Sequence, residues 1–189
     1  TNKPNIEMSK MYRKYKIPKN IIDDNINTLI TPEDTEIDYF GLGNNRINIY
    51  SKDLFKSIIS NLKLGWMFEI INMTNYIPFK PTGSFNLSMF YISYNIDKEH
   101  IIDTHSDYCD YTLIIYINKT KTIKDEFFIE EEKVNDPWIY YKNNSKYYNL
   151  IIFNGYKSHN GIIKGLGKRD VIVIHFNNTR KNYSWREDM

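Results

Sequence analysis

Residues 105–118 read His-Ser-Asp-Tyr-Cys-Asp-Tyr-Thr-Leu-Ile-Ile-Tyr-Ile-Asn. From Tyr111 onward this stretch is a run of branched and aromatic residues that is typical of a β-strand. In an extended segment, residues two apart point to the same side, so His105 and Asp107 can reach one point together. The stretch therefore predicts a strand that is preceded by two side chains of the kind that bind metal ions.

Working outward, similar short runs occur on both sides of this strand. They predict strands at 66–73, 84–94, 111–118, 126–131, 138–142, 148–153 and 170–176, separated by turn signals. Upstream, helical spacing of apolar residues predicts one helix from Pro18 to Ile30 and a second that is N-capped by Ser51 and ends near Gly65. Helices followed by at least seven strands predict a mainly β fold with N-terminal helices (α+β), a double-sheet jelly roll.

Length and composition limit the possible classes of protein. A chain of 189 residues without internal repeats predicts a single domain over 1–189, with a helical part at about 1–65 and a jelly-roll core at about 66–178. Cys109 is the one cysteine, which excludes an intramolecular disulfide and favours a reducing compartment. No apolar run approaches the roughly 18–20 residues of a membrane span. We therefore expect an intracellular, cytoplasmic protein without a membrane partner.

The net charge gives little information about binding partners. The formal net charge of +2 is too small to predict a nucleic-acid partner. One basic stretch is interleaved with tyrosines and comprises Lys10, Tyr12, Arg13, Lys14, Tyr15, Lys16 and Lys19. It could contact phosphates or acidic substrates, although such stretches are more often solvated. The sequence therefore disfavours a nucleic-acid partner without excluding it. The sequence does not predict an oligomeric state.

Histidine is scarce, and its placement is informative. After His105 and Asp107 comes His159, which is predicted to lie in a loop after the apolar strand that ends at Phe153, and Arg169 follows ten positions later. Two imidazoles and one carboxylate form the ligand set that holds non-haem iron(II) and leaves positions open for chemistry. Arg169, one of five arginines against twenty lysines, begins a predicted strand, from which it could bind a carboxylate through a two-pronged ion pair.

Other ligand-type side chains lie close by in sequence. Asp103 and Asp110 flank the pair as rival carboxylates, and we interpret them as solvated loop residues. His175 shares a strand face with Arg169 and is predicted to line the core or a pocket. His100 is predicted to lie in a loop. Cys109 is predicted to pack in the interior.

The segments His105-Ser-Asp107, 111–118, 150–155, His159 and Gly167-Lys-Arg169 together resemble the Fe(II)/2-oxoglutarate-dependent dioxygenases, most of all the prolyl-4-hydroxylase-like branch. The resemblance spans about 84–177. It implies a double-stranded β-helix in which His105, Asp107 and His159 bind Fe(II), and Arg169 pairs with the distal carboxylate of 2-oxoglutarate.

The same resemblance implies a reaction. Dioxygen and 2-oxoglutarate are consumed, succinate and CO2 are released, and a substrate C–H bond is hydroxylated, with ascorbate as a possible accessory reductant. The implied substrate is a protein side chain of the prolyl type or a small amino-acid-like molecule. Halogenating relatives lack the carboxylate ligand, so Asp107 favours hydroxylation, or demethylation that is initiated by hydroxylation.

The chain departs from the family pattern at two places. Lys124-Asp125 stands where many relatives carry two glycines, and Val171 stands where some branches place a serine that shares the distal carboxylate. The hydroxyl partner of 2-oxoglutarate is therefore open. The candidates are strand hydroxyls, of which Tyr91 and Tyr94 would point to opposite faces; the full set is Tyr91, Tyr94, Thr112 and Tyr116.

Two alternatives to this function remain at the level of sequence. One is a cupin-like metalloenzyme that uses the same three ligands without 2-oxoglutarate. The other is a jelly-roll binding module without catalysis.

Overall fold

A computed structural model describes residues 7–8, 11–29, 35–37, 44–49, 51–62, 87–138 and 146–176. Within these residues there are two helices, α1 (Lys19–Leu29) and α2 (Lys52–Asn61). The strands are β1 (Glu7–Met8), β2 (Tyr12–Pro18), β3 (Thr35–Ile37), β4 (Asn44–Asn48), β5 (Leu87–Ile96), β6 (His100–His105), β7 (Tyr111–Lys119), β8 (Lys124–Ile129), β9 (Glu132–Lys133), β10 (Tyr147–Phe153), β11 (His159–Lys164) and β12 (Gly167–Phe176).

The eight strands from β5 to β12 are shared between two antiparallel sheets. The larger sheet has the order β1-β2-β10-β7-β12-β5-β4-β3, and the smaller has the order β6-β11-β8-β9. Along the chain, β5, β7, β10 and β12 enter the larger sheet, and β6, β8, β9 and β11 enter the smaller one. This exchange of strands between two facing four-stranded layers is a jelly roll, or double-stranded β-helix. The predicted fold class is confirmed.

Side chains alternate between the two faces of the larger sheet, and each face contributes to a separate apolar core. On β12, Val171 faces the smaller sheet, whereas Ile172 and Ile174 face the opposite side. On β7, Ile114 and Tyr116 likewise face the smaller sheet. This two-residue period fixes which side chains can line the space between the sheets.

The two helices cover the outer face of the larger sheet. Ile22 of α1 and Leu54, Phe55 and Ile58 of α2 are buried against Ile172 and its neighbours on that face. The Ser51 hydroxyl accepts a hydrogen bond from the Leu54 backbone N–H at 3.0 Å and caps α2, as predicted. Both predicted helices are therefore present, each slightly shorter than expected.

The part of the chain expected to be helical also contains strands. β1, β2, β3 and β4 extend the larger sheet at both of its edges. Lys14, which was predicted to belong to a solvated basic stretch, is buried on β2, and its ammonium group donates to the carbonyls of Asn135 and Asp136 at 3.2 and 2.8 Å. A side chain held in this way has a structural role.

Two predicted strands fall wholly or largely outside the described residues, 66–73 and, beyond Trp138, 138–142. In the part of the chain that is described, no helix has the length and apolar character needed to cross a bilayer.

Candidate metal centre

Strand pairing brings the two predicted histidine ligands together. His105 is the last residue of β6, His159 is the first residue of β11, and the two are direct partners in the antiparallel ladder. Their ring centroids are 4.3 Å apart. His159 was predicted to lie in a loop; it begins a strand instead, at a register shift between His159 and Gly161. Such an irregularity in the ladder, a β-bulge, changes the direction of the His159 side chain at the end of the sheet.

The loop that carries Asp107 is tied to the loop before β11. The carbonyl of Gly155 accepts hydrogen bonds from the Asp107 backbone N–H at 2.9 Å and from the Ser106 hydroxyl at 3.1 Å. A side chain at Gly155 would overlap the sulfur of Cys109 and the hydroxyl of Thr112. Only glycine allows this close approach, which holds Asp107 beside the two histidines.

The tautomers of both histidines follow from their backbone contacts. Nδ1 of His105 lies 2.7 Å from the carbonyl of Asp103, and Nδ1 of His159 lies 2.9 Å from the carbonyl of Lys157. A carbonyl can only accept, so each Nδ1 carries the proton. Nε2, the remaining nitrogen of each ring, is then available as a metal ligand.

These two Nε2 atoms face the carboxylate of Asp107. The distances are 3.4 Å from His105 to Oδ1 and 3.2 Å from His159 to Oδ2. Lone pairs facing lone pairs at such distances repel unless a proton or a metal ion lies between them. One ligand atom from each of the three residues can be chosen so that all lie within 4.8 Å of one another. The donor set therefore fits a divalent metal ion such as iron(II).

Two further side chains surround Asp107. The Thr112 hydroxyl donates to Oδ2 at 2.7 Å, and Nε2 of His175 lies 3.4 Å from the same oxygen. Burial by itself would raise the pKa of Asp107, but its close contacts with the rings of His105, His159 and His175 together lower that pKa far below its usual range. The carboxylate is thus held in its ionised form, the form that binds a metal.

The three ligand residues differ in exposure. The side chain of His105 is 46% exposed, whereas those of Asp107 and His159 are 8% and 4% exposed. His159 is enclosed by the rings of Phe127 and Phe153, at centroid distances of 5.8 and 5.0 Å. The centre therefore has a buried, apolar inner side at His159 and a solvent-exposed side at His105.

The other ligand-type residues are placed as follows. Within the described residues, the group that can hold a metal contains neither Asp103 nor Asp110. His175 lines the centre, as predicted. The expectation for His100 is wrong: it is buried at the start of β6 and packs edge-on against Tyr94 at 5.3 Å. Cys109 is buried, as predicted, and burial raises the pKa of its thiol to about 12.

Arg169 lies deep between the sheets, toward the opposite end of β12 from His175. It is 4% exposed, and its guanidinium carbon lies 5.0 Å from the centre of the Tyr94 ring. Its Nε donates to Oδ2 of Asp125 at 2.5 Å, and the indole N–H of Trp138 donates to the same oxygen at 2.9 Å. Sequence reasoning marked Asp125 as a departure from the family pattern but missed its partner, because β8 and β12 meet only in the folded chain.

The four candidate hydroxyl groups fall into three places. Tyr94 and Tyr116 lie near Arg169, and the buried Tyr116 hydroxyl has no hydrogen-bond partner among the described residues. Burial raises the pKa of Tyr116, and nearby Arg169 counteracts part of this rise. Thr112 belongs to the metal centre instead. Tyr91 packs on the helix-covered face of the larger sheet, where its hydroxyl interacts with Asp170, and the structure does not bring it to Arg169.

A cavity of about 860 Å³ opens near Asp125 and Trp138, at the end of the sheets remote from the three metal ligands. Lys119, Lys121, Lys124 and Lys133 also line it, together with Glu126 and Glu132. This cavity lies outside the metal centre, and Asp125 is the residue that connects it with Arg169.

Comparisons with known proteins find only distant similarity. No protein-family profile matches the sequence, and no curated protein sequence matches it significantly. Among solved structures, IDO from Bacillus thuringiensis is 12% identical with a TM-score of 0.42, covering 88% of this chain and 93% of that one. KdgF from Halomonas sp. is 9% identical with a TM-score of 0.39 over 82% and 96% of the two chains. A Pseudomonas putida prolyl-4-hydroxylase is 10% identical with a TM-score of 0.48 over 89% and 93%. Similarity at this level carries no argument about function, so the fold rests on the strand order described above.

Proposed function

We propose that this protein is an Fe(II)- and 2-oxoglutarate-dependent oxygenase that hydroxylates a C–H bond. The observation that carries the proposal is the convergence of two Nε2 atoms, from His105 and His159, on the carboxylate of Asp107. This donor set suits iron(II) and leaves coordination positions for other ligands. The proposed substrate is a protein side chain of the prolyl type or a small amino-acid-like molecule, and succinate and CO2 are the other products.

Each residue of the centre has a distinct task in this proposal. His105, Asp107 and His159 would hold the metal, and Thr112 orients Asp107 through its 2.7 Å hydrogen bond. When bound, iron and 2-oxoglutarate supply the oxygen chemistry. Phe127 and Phe153 exclude water from the inner side, around His159. The exposed edge of His105 leaves room for the substrate to approach.

Arg169 is the group proposed to anchor the distal carboxylate of 2-oxoglutarate. Its terminal nitrogens are the donors for this purpose, because Nε is engaged by Asp125. The Tyr116 hydroxyl, which has no hydrogen-bond partner among the residues that the structure describes, fits a second donor to the same carboxylate. Thr112 and Tyr116 face the same side of β7 four residues apart, about 13 Å at ~3.3 Å per residue, so this strand face connects the metal centre with Arg169.

A second candidate function is a cupin-like metalloenzyme that uses the same three ligands without 2-oxoglutarate. The specific observation in its favour is the ion pair between Arg169 and Asp125. An arginine that already has a buried carboxylate partner has less need of a dicarboxylate to balance its charge.

Anaerobic addition of Fe(II) and then 2-oxoglutarate tests the proposal. The expected result is the visible charge-transfer band of the metal–keto acid chelate, followed by succinate formation when oxygen and a peptide or metabolite pool are added. The two pools distinguish a protein substrate from a small molecule.

Arg169→Ala is the decisive variant, with Lys168→Ala, an exposed cation one residue away, as the matched control. Arg169→Ala should abolish 2-oxoglutarate turnover, because it leaves Asp125 as an uncompensated buried carboxylate near the co-substrate. Oxygen-dependent activity that survives in Arg169→Ala would favour the cupin-like candidate.

A further inference from the structure

The arginine proposed to anchor the co-substrate is already paired with a carboxylate. The side chains of Arg169 and Asp125 are 4% and 2% exposed, and the Nε–Oδ2 distance is 2.5 Å. The indole N–H of Trp138 donates to the same carboxylate oxygen at 2.9 Å. Asp125 is the second residue of β8 in the smaller sheet and Arg169 lies near the start of β12 in the larger one, so the pair connects the two sheets.

We propose that Asp125 determines co-substrate selectivity by offsetting the positive charge of Arg169. This inference rests on the proposed function, because it assumes that a 2-oxo acid binds the metal with its far end toward Arg169. In the absence of Asp125, the subsite would be cationic and would strongly favour a distal carboxylate. With Asp125 present, it accepts 2-oxo acids whose far end is uncharged almost as well as 2-oxoglutarate.

The physical reason is the low dielectric between the sheets. A distal carboxylate bound by the terminal nitrogens of Arg169 would share one guanidinium with Asp125, and the two anions would repel each other. An uncharged far end meets no such repulsion. Trp138 keeps Asp125 in place through a direct hydrogen bond, so the carboxylate cannot turn away without losing a buried partner.

A purely structural role for the pair predicts something different. If Asp125 only joined the two sheets, its charge would affect folding and metal binding but would not distinguish between ligands that differ only at their far end. The ratio of two dissociation constants measured in the same protein separates the two roles, since general effects on the centre cancel.

The test is an anaerobic titration of the Fe(II)-loaded full chain, following the chelate band. The two ligands are 2-oxoglutarate and 2-oxopentanoate, which share the keto-acid head and the five-carbon chain and differ in the distal carboxylate. In the wild type, we expect their dissociation constants to agree within about threefold. In Asp125→Asn, 2-oxoglutarate should bind on the order of tenfold more tightly, while 2-oxopentanoate changes by less than about twofold.

Asparagine is the suitable replacement because its carbonyl can still accept from Trp138 and Arg169. The matched control is Asp170→Asn, which removes a carboxylate next to Arg169 in sequence but on the opposite face of β12, beside Tyr91. This control should leave the ratio of dissociation constants unchanged.

Three results would overturn the proposal. An unaltered ratio in Asp125→Asn would assign Asp125 a structural role only. A wild-type preference for 2-oxoglutarate of more than about hundredfold would show that Asp125 does not offset the charge of Arg169, even if the variant did not fold. A chelate band in neither protein with either ligand would reject the proposed function itself, and the selectivity argument with it.

Discussion

Replacing Thr112 by valine tests whether the environment of Asp107 is built for metal binding. Valine has nearly the shape of threonine but lacks the hydroxyl that donates to Oδ2 of Asp107 at 2.7 Å. Thr112 is 1% exposed, so water cannot easily replace the lost donor. The variant therefore leaves the fold intact and removes one hydrogen bond from a carboxylate.

The size of the effect follows from the charge of the acceptor. A hydrogen bond to an ionised group contributes about 1.5–3 kcal/mol. At about 1.4 kcal/mol per factor of ten, this corresponds to a roughly tenfold to hundredfold weaker affinity for a divalent metal. The same range applies to loss of the groups that orient metal ligands in other proteins, about 10–100-fold.

The assay is anaerobic titration of the purified protein with Fe(II), comparing Thr112→Val with the wild type. The matched control is Thr122→Val, which removes an exposed threonine hydroxyl that donates to the carbonyl of Leu166 at 2.8 Å, away from the centre. The control should bind metal like the wild type. If Thr112→Val also binds within about twofold of the wild type, the hydroxyl does not position a ligand and the reasoning is refuted.

Three further predictions concern the surroundings of the centre. Gly155→Ala should weaken Fe(II) binding and lower the melting temperature, because the added methyl group overlaps Cys109 and Thr112; an unchanged melting curve would show that the contact is not tight. His175→Ala should reduce metal affinity by at most about tenfold, whereas His105→Ala should abolish binding, since His175 touches Asp107 but is not in the ligand group. Burial raises the pKa of the Cys109 thiol and shields it from solvent, so a thiol reagent should label it only after denaturation, and rapid labelling of the native protein would contradict its burial.

Much of the fold could be predicted because the relevant signals are local. The branched and aromatic residues of β7 and β12 define strands on their own, and Ser51 caps α2 through a contact three residues away. The strands that were missed are weaker in sequence. β6 begins with His100 and ends with the exposed Thr104 and His105, so its pattern does not resemble a buried strand.

In the candidate site, too, the residues marked by a local signal were predicted and those that depend on long-range contacts were not. His105, Asp107 and His159 were identified from residue type and spacing, and the fold brings them within reach of one ion. The partner of Arg169 was not identified, because the contact with Asp125 joins residues 44 apart and depends on how two sheets face each other. Thr112 was predicted near the co-substrate carboxylate, but the turn after Asp107 places its hydroxyl on the metal ligand instead.

The most direct test of the central claim is the stoichiometry of metal binding. Equilibrium titration of the wild type with Fe(II) under anaerobic conditions should give one ion per chain. His159→Ala should lose this ion, whereas His100→Ala, which alters a histidine beside Tyr94 rather than at the centre, should retain it. One ion per chain with wild-type affinity in His159→Ala would show that the three side chains do not form the metal centre.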